Sequence, residues 1–247
     1  MFRIVQPFYT AFVLLTFLVS LIVVFPFFFL IGIRDKPLAR EIIWHIVHYW
    51  GLAWLFLIGM PIRMSGKKPA PGTKYVVVAN HISYLDTVNI YAAIPGYFRA
   101  LGKKEMVRIP VFGFVYKQLA ILVDRSSPNS RAKSMRLMWR VLKKESNIAI
   151  FPEGTFNETE EPLKSFYDGA FRLAVIAQTP IVPLIFPDTM YRWDYRGWWK
   201  LSPGINRAIF LPQVEVKGLT AADIPALKEK VSKLMTEELL KYPYNKF

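Results

Sequence analysis

The chain has 247 residues, of which 53% are hydrophobic, and its formal net charge is +14. This length allows one domain with a real core and an appendage, and the absence of cysteine excludes disulfides, thiolate metal sites and cysteine nucleophiles. The positive charge favours an anionic partner. Together with a mean hydropathy of +0.25, it indicates an anionic lipid bilayer more than nucleic acid.

The N-terminal stretch is almost uniformly apolar. No charged residue occurs from Ile4 to Ile33, and Pro26 is expected to kink or split a helix there. At about 1.5 Å per residue, such a helix is long enough to cross a hydrocarbon core of about 30 Å. A secretory signal peptide is disfavoured, because the stretch is too long and lacks a small-residue cleavage site.

A second charge-free stretch runs from Ile42 to Ile62 and is rich in aromatic residues, which prefer the membrane interface. A short basic linker joins the two stretches, so we predict a two-helix membrane hairpin over residues 1–64. Positive charge on both sides favours a hairpin that dips into one leaflet, with a full crossing or buried core helices as alternatives. The predicted location is the cytoplasmic face of the cell membrane, with membrane lipids, including anionic phospholipid, as partners.

Residues 65–247 have the composition of a globular domain. Apolar, β-branched runs predict buried strands over residues 74–79, 119–123, 147–151 and 181–186. Helical spacing of apolar residues lies between and after them, over residues 131–144, 171–178 and 224–240. This alternation predicts an α/β fold with a largely parallel central sheet flanked by helices.

His81 directly follows the first predicted strand, and in open α/β sheets sites gather at the carboxyl ends of strands. If a helix begins near Tyr84, Asp86 lies in its first turn and its carboxylate could hold one imidazole nitrogen. The other nitrogen would then be left as a base. The alternative role of Asp86 is helix capping, because Ser83 and Asp86 have capping-box spacing worth about 1 kcal/mol.

Polar residues also follow other strand-like segments: Lys104 after the strand-like residues 97–101, the pair Asp124 and Arg125, and Glu153 with Gly154 and Thr155. Arg125 could grip a phosphate in fork geometry, or form an exposed ion pair with Asp124. The segment around Glu153 could equally be a simple turn. Convergence of these strand ends at one edge favours a site, and no cluster of carboxylates and histidines predicts a metal.

Taken together, these segments resemble the glycerolipid acyltransferases, and the 1-acylglycerol-3-phosphate acyltransferases in particular. Four motifs carry the resemblance: NHISYLD at 80–86, which fits the HxxxxD block, AILVDR at 120–125, FPEGT at 151–155 and IVPL at 181–184. HxxxxD alone is a weak signal, but FPEGT about seventy residues after it is specific.

The resemblance implies transfer of a fatty acyl group from an acyl thioester, carried by coenzyme A or acyl carrier protein, to the sn-2 hydroxyl of lysophosphatidic acid. The product would be phosphatidic acid, and no cofactor or covalent acyl-enzyme is implied. His81 would be the general base and Asp86 would orient it. The residues implied to bind the substrate are Lys104, Arg125, Glu153, Gly154 and Thr155.

One departure from the family pattern concerns the third motif, which commonly continues Thr-Arg-Ser, whereas Phe156 and Asn157 follow Thr155 here. The arginine that would make one phosphate contact is therefore absent at this position, and Lys164 could compensate for it. Residues 191–200 mix aromatic and basic side chains and predict an interfacial loop, with ordinary packing as the alternative.

Two other functions compete with this one. Within the same class, the acceptor could be glycerol-3-phosphate or another lysophospholipid. A different class is a membrane-tethered module that binds nucleic acid through its charge and aromatic residues. That alternative is disfavoured because the sequence has no recognised binding motif and His81 and Asp86 would have no role, so no nucleic-acid partner is predicted.

Overall fold

A computed structural model describes residues 2–33, 35–124 and 127–242 of the chain. Within these residues the helices are α1 (Phe2–Gly32), α2 (Pro37–Leu57), α3 (Asp86–Ala93), α4 (Phe112–Leu119), α5 (Pro128–Lys144), α6 (Gly169–Ala177), α7 (Thr189–Arg192) and α8 (Ile224–Leu239). The strands are β1 (Ile62–Gly66), β2 (Val76–Ala79), β3 (Phe98–Lys103), β4 (Ala120–Val123), β5 (Asn147–Ile150), β6 (Ile181–Ile185) and β7 (Asn206–Phe210). Short 3₁₀ turns cover Lys104–Arg108 and Ala221–Asp223.

The chain divides into two compact units. The first comprises residues 1–64, 82–94 and 186–208, and the second comprises residues 65–81, 95–185 and 209 onward. One division falls at the predicted boundary between residues 64 and 65, but the first unit also takes in two later segments. The assignment of residues 1–64 to an anchor and 65–247 to a catalytic domain stays a prediction.

The central sheet lies mainly in the second unit. Its strand order is β1-β7-β6-β2-β5-β3-β4. Strand β2 pairs in parallel with β5 and β6, β3 pairs in parallel with β5 and β4, and β7 is antiparallel to β6. The predicted α/β fold with a largely parallel central sheet is therefore confirmed.

Helices cover this sheet, and the sequence of the strands reflects that burial. Strands β2, β5 and β6 are buried at every residue, as continuous apolar runs in parallel sheets usually are. Helices α5, α6 and α8 contribute apolar side chains to the same core, among them Leu142, Phe171, Leu173 and Val231. This core fixes the strands whose ends carry the polar residues singled out above.

The first unit is built on the antiparallel pair α1 and α2. The Phe17 ring lies 5.5 Å from the ring of Trp50 and 5.3 Å from that of Trp54. The Tyr9 hydroxyl, near the start of α1, donates to the carbonyl of Ile58, the residue that follows α2. Helix α2 also packs against α3.

Of the described residues, one helix, Val5–Gly32, is long and apolar enough to cross a membrane, and only 6% of its most apolar window is buried. It runs through Pro26 without a break, so the predicted split does not occur. Helix α2 buries one side, including Ile43, Trp44 and Val47. The N-terminal apolar helix is confirmed, whereas the two-helix membrane hairpin stays a prediction.

The core of the second unit can be tested with two substitutions in α6. Leu173 is fully buried, whereas Ile176, three residues further along the helix, is 56% exposed. We expect Leu173→Ala to lower the free energy of unfolding by about 2–5 kcal/mol, because it leaves a cavity. Ile176→Ala should change it by about 0.5 kcal/mol or less. Urea titration of the detergent-solubilised protein measures both, and equal losses would contradict the assigned core.

Candidate active site

Several predicted site residues lie at one edge of the sheet in the second unit. Strands β2, β5, β3 and β4 run parallel, so their carboxyl ends share this edge. His81 lies just beyond β2 and Glu153 just beyond β5, the neighbouring strand. Lys104 follows β3, on the far side of β5. Arg125, predicted to follow β4, lies outside the described residues.

The imidazole of His81 is held between two aromatic rings. Its centroid lies 4.2 Å from that of Phe151, with the planes 18° apart, and 4.5 Å from that of Phe156, which meets it edge-on at 66°. Contacts of this kind contribute about 0.5–1.5 kcal/mol beyond area burial. The side chain is half-buried, so its plane is fixed while part of the ring stays accessible.

Glu153 fixes the backbone of His81. One carboxylate oxygen of Glu153 accepts the His81 N–H at 2.7 Å, and the other accepts the Lys164 N–H at 2.9 Å. The Asn157 N–H donates to the His81 carbonyl at 2.8 Å. Because Glu153 is fully buried, these charge-assisted bonds offset the loss of its hydration. Its substrate-binding role stays a prediction.

The residues after Glu153 form a tight turn. Gly154 has φ +75°, a conformation that glycine adopts without the penalty of a Cβ atom, and its N–H donates to the Phe151 carbonyl. Thr155 is exposed, and the ammonium of Lys164 donates to its hydroxyl at 2.9 Å. Lys164 therefore places a cation beside Thr155, and its role as a phosphate ligand stays a prediction.

Lys104 is the other described cation among the predicted ligands. Its ammonium lies 4.0 Å from the Asp124 carboxylate, and 66% of its side chain is exposed. An exposed pair at this distance contributes little to stability, so the ammonium can turn towards another anion at small cost. The described part of the chain contains no group of three or more His, Cys, Asp or Glu side chains that could hold a metal ion.

Asp86 belongs to the first unit and is fully buried. Its carboxylate accepts the N–H groups of Ile82 at 2.7 Å and Ser83 at 2.8 Å, so it holds the two peptide groups that follow His81 in the chain. This is one half of the predicted capping box. The Ser83 hydroxyl accepts instead from the Leu85 N–H, and helix α3 begins at Asp86, not near Tyr84. The predicted contact between Asp86 and the His81 ring stays a prediction.

Sequence reasoning missed the two rings that flank His81. Phe151 belongs to the third motif and Phe156 departs from the family pattern, but neither position by itself predicts a contact with the imidazole. Both aromatic residues follow β5, so they can contact His81 only if β5 lies next to β2 in the sheet. That neighbourhood depends on the strand order, which the sequence does not reveal.

Comparison with known proteins agrees with this arrangement. Residues 61–187, about half of the chain, match the family model of the acyltransferases. The chain belongs to the acyltransferase family. It is 31% identical over 179 residues to 1-acyl-sn-glycerol-3-phosphate acyltransferase alpha of Mus musculus. The aligned residues make up 71% of this chain and 62% of that protein. The Homo sapiens protein of the same name is 30% identical over 203 residues, covering 81% of this chain and 68% of the relative.

A solved structure shares the fold. The crystal structure of the 1-acyl-sn-glycerophosphate (LPA) acyltransferase from Thermotoga maritima superposes with a TM-score of 0.79 over the full length of both chains, at 21% identity. The match to the family model and the human relative confirm the predicted family, and with it the prediction that the chain is an enzyme of this family.

The role of Glu153 can be tested by Glu153→Gln. A glutamine has one oxygen, so it can accept one of the two N–H groups while its own amide hydrogens face the other. We expect a loss of about 1–3 kcal/mol in the free energy of unfolding, together with a lower rate of catalysis. Glu158→Gln changes an exposed neighbour and is the control. Equal stability of the two variants would show that Glu153 does not hold the turn.

Proposed function

We propose that the chain transfers a fatty acyl group from an acyl thioester to the sn-2 hydroxyl of lysophosphatidic acid and so forms phosphatidic acid. The observation that carries the proposal is His81, a half-buried imidazole fixed by two aromatic rings and by hydrogen bonds to both of its backbone groups. The names of the relatives support the acceptor, since they are acyltransferases of 1-acyl-sn-glycerol-3-phosphate.

The proposed chemistry needs one base and no cofactor. An imidazole nitrogen of His81 takes the proton of the acceptor hydroxyl as its oxygen attacks the thioester carbonyl. The tetrahedral intermediate collapses, the carbon–sulfur bond breaks, and the leaving thiolate takes the proton back from the imidazolium. An ester and a free thiol are the products, so His81 returns to its starting state.

Two buried carboxylates hold the backbone at His81 and directly after it. Glu153 holds the His81 N–H, and Asp86 holds the N–H groups of the next two residues. Fixing the backbone in this way keeps the imidazole in a reactive position, and orientation of this kind supplies a large part of enzymatic rate enhancement. In the proposed mechanism, the charge of Asp86 also stabilises the imidazolium form of His81.

The acceptor phosphate is proposed to bind the cations at the same sheet edge. Lys104 follows β3, and Lys164 reaches the Thr155 hydroxyl. Arg125 is the third proposed ligand, with fork geometry suited to phosphate. Coenzyme A and acyl carrier protein are both proposed thioester carriers.

We also propose that α1 attaches the protein to the membrane, at its cytoplasmic face. Its exposed side chains are almost entirely apolar, and its polar groups find partners in the first unit, as hydrocarbon requires. The Thr16 hydroxyl, for example, donates to the Val13 carbonyl and accepts from the Trp54 indole. A lipid acceptor makes this location useful, because the substrate is itself held in the bilayer.

The catalytic proposal is tested by His81→Ala. With a long-chain acyl-CoA and lysophosphatidic acid, we expect the rate of thiol release to fall by about 10²- to 10⁴-fold, because the general base is lost. His45→Ala is the matched control, since His45 is exposed on α2. The measurement is thiol release by purified protein in detergent, with and without acceptor.

Equal release by His81→Ala and the unsubstituted protein would contradict the base assignment. Release that occurs at the same rate without any acceptor would contradict acyl transfer. Release that requires glycerol-3-phosphate, and not lysophosphatidic acid, would keep the mechanism and change the acceptor.

The phosphate proposal is tested by Lys104→Ala. We expect the KM for lysophosphatidic acid to rise by about threefold to tenfold with little change in kcat, because an exposed cation contributes modest binding energy. A monoacylglycerol has no phosphate, so its KM should not change. Lys230→Ala, an exposed lysine on α8, controls for the loss of one positive charge. A rise in KM that is equal for both acceptors would contradict a phosphate contact.

A further inference from the structure

Residues 193–201 form an ordered loop in the first unit, here named the aromatic loop. An antiparallel bridge between Trp193 and Leu201 closes it, and the Arg196 guanidinium pairs with the Asp194 carboxylate at 2.7 Å. Trp198 and Trp199 are nevertheless 59% and 49% exposed. Neighbouring exposed indole rings on a hydrogen-bonded loop indicate a surface that contacts a membrane or another molecule.

The aromatic loop is bonded to the first turns of α1. The Thr10 hydroxyl donates to the Trp199 carbonyl at 2.7 Å and accepts from the Leu201 N–H at 3.3 Å. The Gln6 amide donates to the Leu201 carbonyl at 3.3 Å. Gln6 and Thr10 are one helical turn apart and so share a face of α1. Trp199 also lines a cleft with Gln6, Pro7 and Lys200.

The other end of the aromatic loop meets the turn that follows His81. The Ser83 hydroxyl donates to the Trp193 carbonyl at 2.6 Å. The Tyr84 ring lies 5.3 Å from the Trp193 ring. Ser83 is also the residue whose N–H Asp86 accepts. Within the first unit, one short loop therefore connects the apolar helix α1 to the turn at Ser83 and Tyr84.

We propose that the aromatic loop is a membrane contact, with the head-group layer of a phospholipid bilayer as its occupant. Trp198 and Trp199 lie in the interface, where indole rings are favoured, and the exposed Lys200 adds positive charge beside anionic head groups. The bilayer is preferred to a protein partner because the loop is continuous with α1, whose exposed surface is apolar along its length. A bilayer that contacts α1 therefore also reaches the aromatic loop, which is hydrogen-bonded to this helix.

This contact sets the depth of the turn at Ser83, which belongs to the same unit as the loop. In this proposal, the aromatic loop holds the turn at Ser83 at the level of the head groups. The inference rests on the proposed function, because the head-group level is where lysophosphatidic acid presents its glycerol hydroxyl. The loop is thus a positioning element for a substrate that arrives from the membrane.

The experiment uses the absence of cysteine, which lets one introduced thiol report alone. Trp198→Cys, Trp199→Cys, Leu15→Cys on exposed α1 and Glu229→Cys on exposed α8 are each spin-labelled in the full chain. The proteins are reconstituted in phosphatidylcholine vesicles with one quarter, roughly, of phosphatidylglycerol. Accessibility to oxygen and to a water-soluble nickel complex then measures the depth of each label.

We expect the oxygen-to-nickel ratio to be highest at Leu15, intermediate at both loop positions and lowest at Glu229. Loop labels as nickel-accessible as the Glu229 label, with Leu15 still in hydrocarbon, would overturn the proposal. A Leu15 label in water would overturn the membrane role of α1 as well. Neither outcome depends on the acyl transfer reaction, so failure here and failure of the proposed function are distinguishable.

A second measurement addresses positioning. In the Trp198→Ala, Trp199→Ala double variant we expect the apparent KM for lysophosphatidic acid in vesicles to rise by at least about threefold, because apolar contact with the interface is lost. In detergent micelles that lack a bilayer, KM and kcat should match those of the unsubstituted protein. An equal loss in vesicles and micelles would show a structural role for the indoles and would overturn the positioning role.

Discussion

Strands β2 and β5 pair in parallel with Val78 opposite Ile150, and the arrangement of the site depends on this register. Because both strands leave the sheet at the same level, the residues that follow them meet. His81 then stacks on Phe151, and its N–H reaches the carboxylate of Glu153. A slip of one residue would turn each side chain to the opposite face of the sheet and separate these groups.

Buried charge is the cost of this arrangement, and hydrogen bonds to the backbone offset it. A carboxylate removed from water loses several kcal/mol of hydration unless donors replace the water. Glu153 and Asp86 each receive two N–H groups. Those donors belong to His81, to the two residues after it and to Lys164. The position of the imidazole is thus set by main-chain contacts, which tolerate little movement.

The sequence was sufficient to predict the fold class, because buried parallel strands are continuous apolar runs. Strands β4, β5 and β6 and helices α5, α6 and α8 lie within a few residues of their predicted bounds. Strands β1 and β7 were not predicted, since each mixes polar and apolar residues over five positions. The strand order and the contacts of Phe156 could not be predicted, because they depend on pairing between distant segments. The composition of residues 191–200 predicts an interfacial loop. Its hydrogen bonds to α1 could not be predicted, because they join segments that are far apart in the sequence.

The two rings beside His81 also bear on a side reaction. A base that activates an alcohol can activate water equally well, and hydrolysis would then destroy the thioester without making lipid. Phe151 and Phe156 cover two sides of the imidazole with carbon and offer water no hydrogen-bond partner there. In the proposed reaction, water and the acceptor hydroxyl compete for the part of the imidazole that stays accessible. Where the family pattern commonly has an arginine, this chain has Phe156, whose ring offers water no hydrogen-bond partner beside the imidazole. In the proposed reaction this disfavours hydrolysis of the thioester relative to transfer to the alcohol.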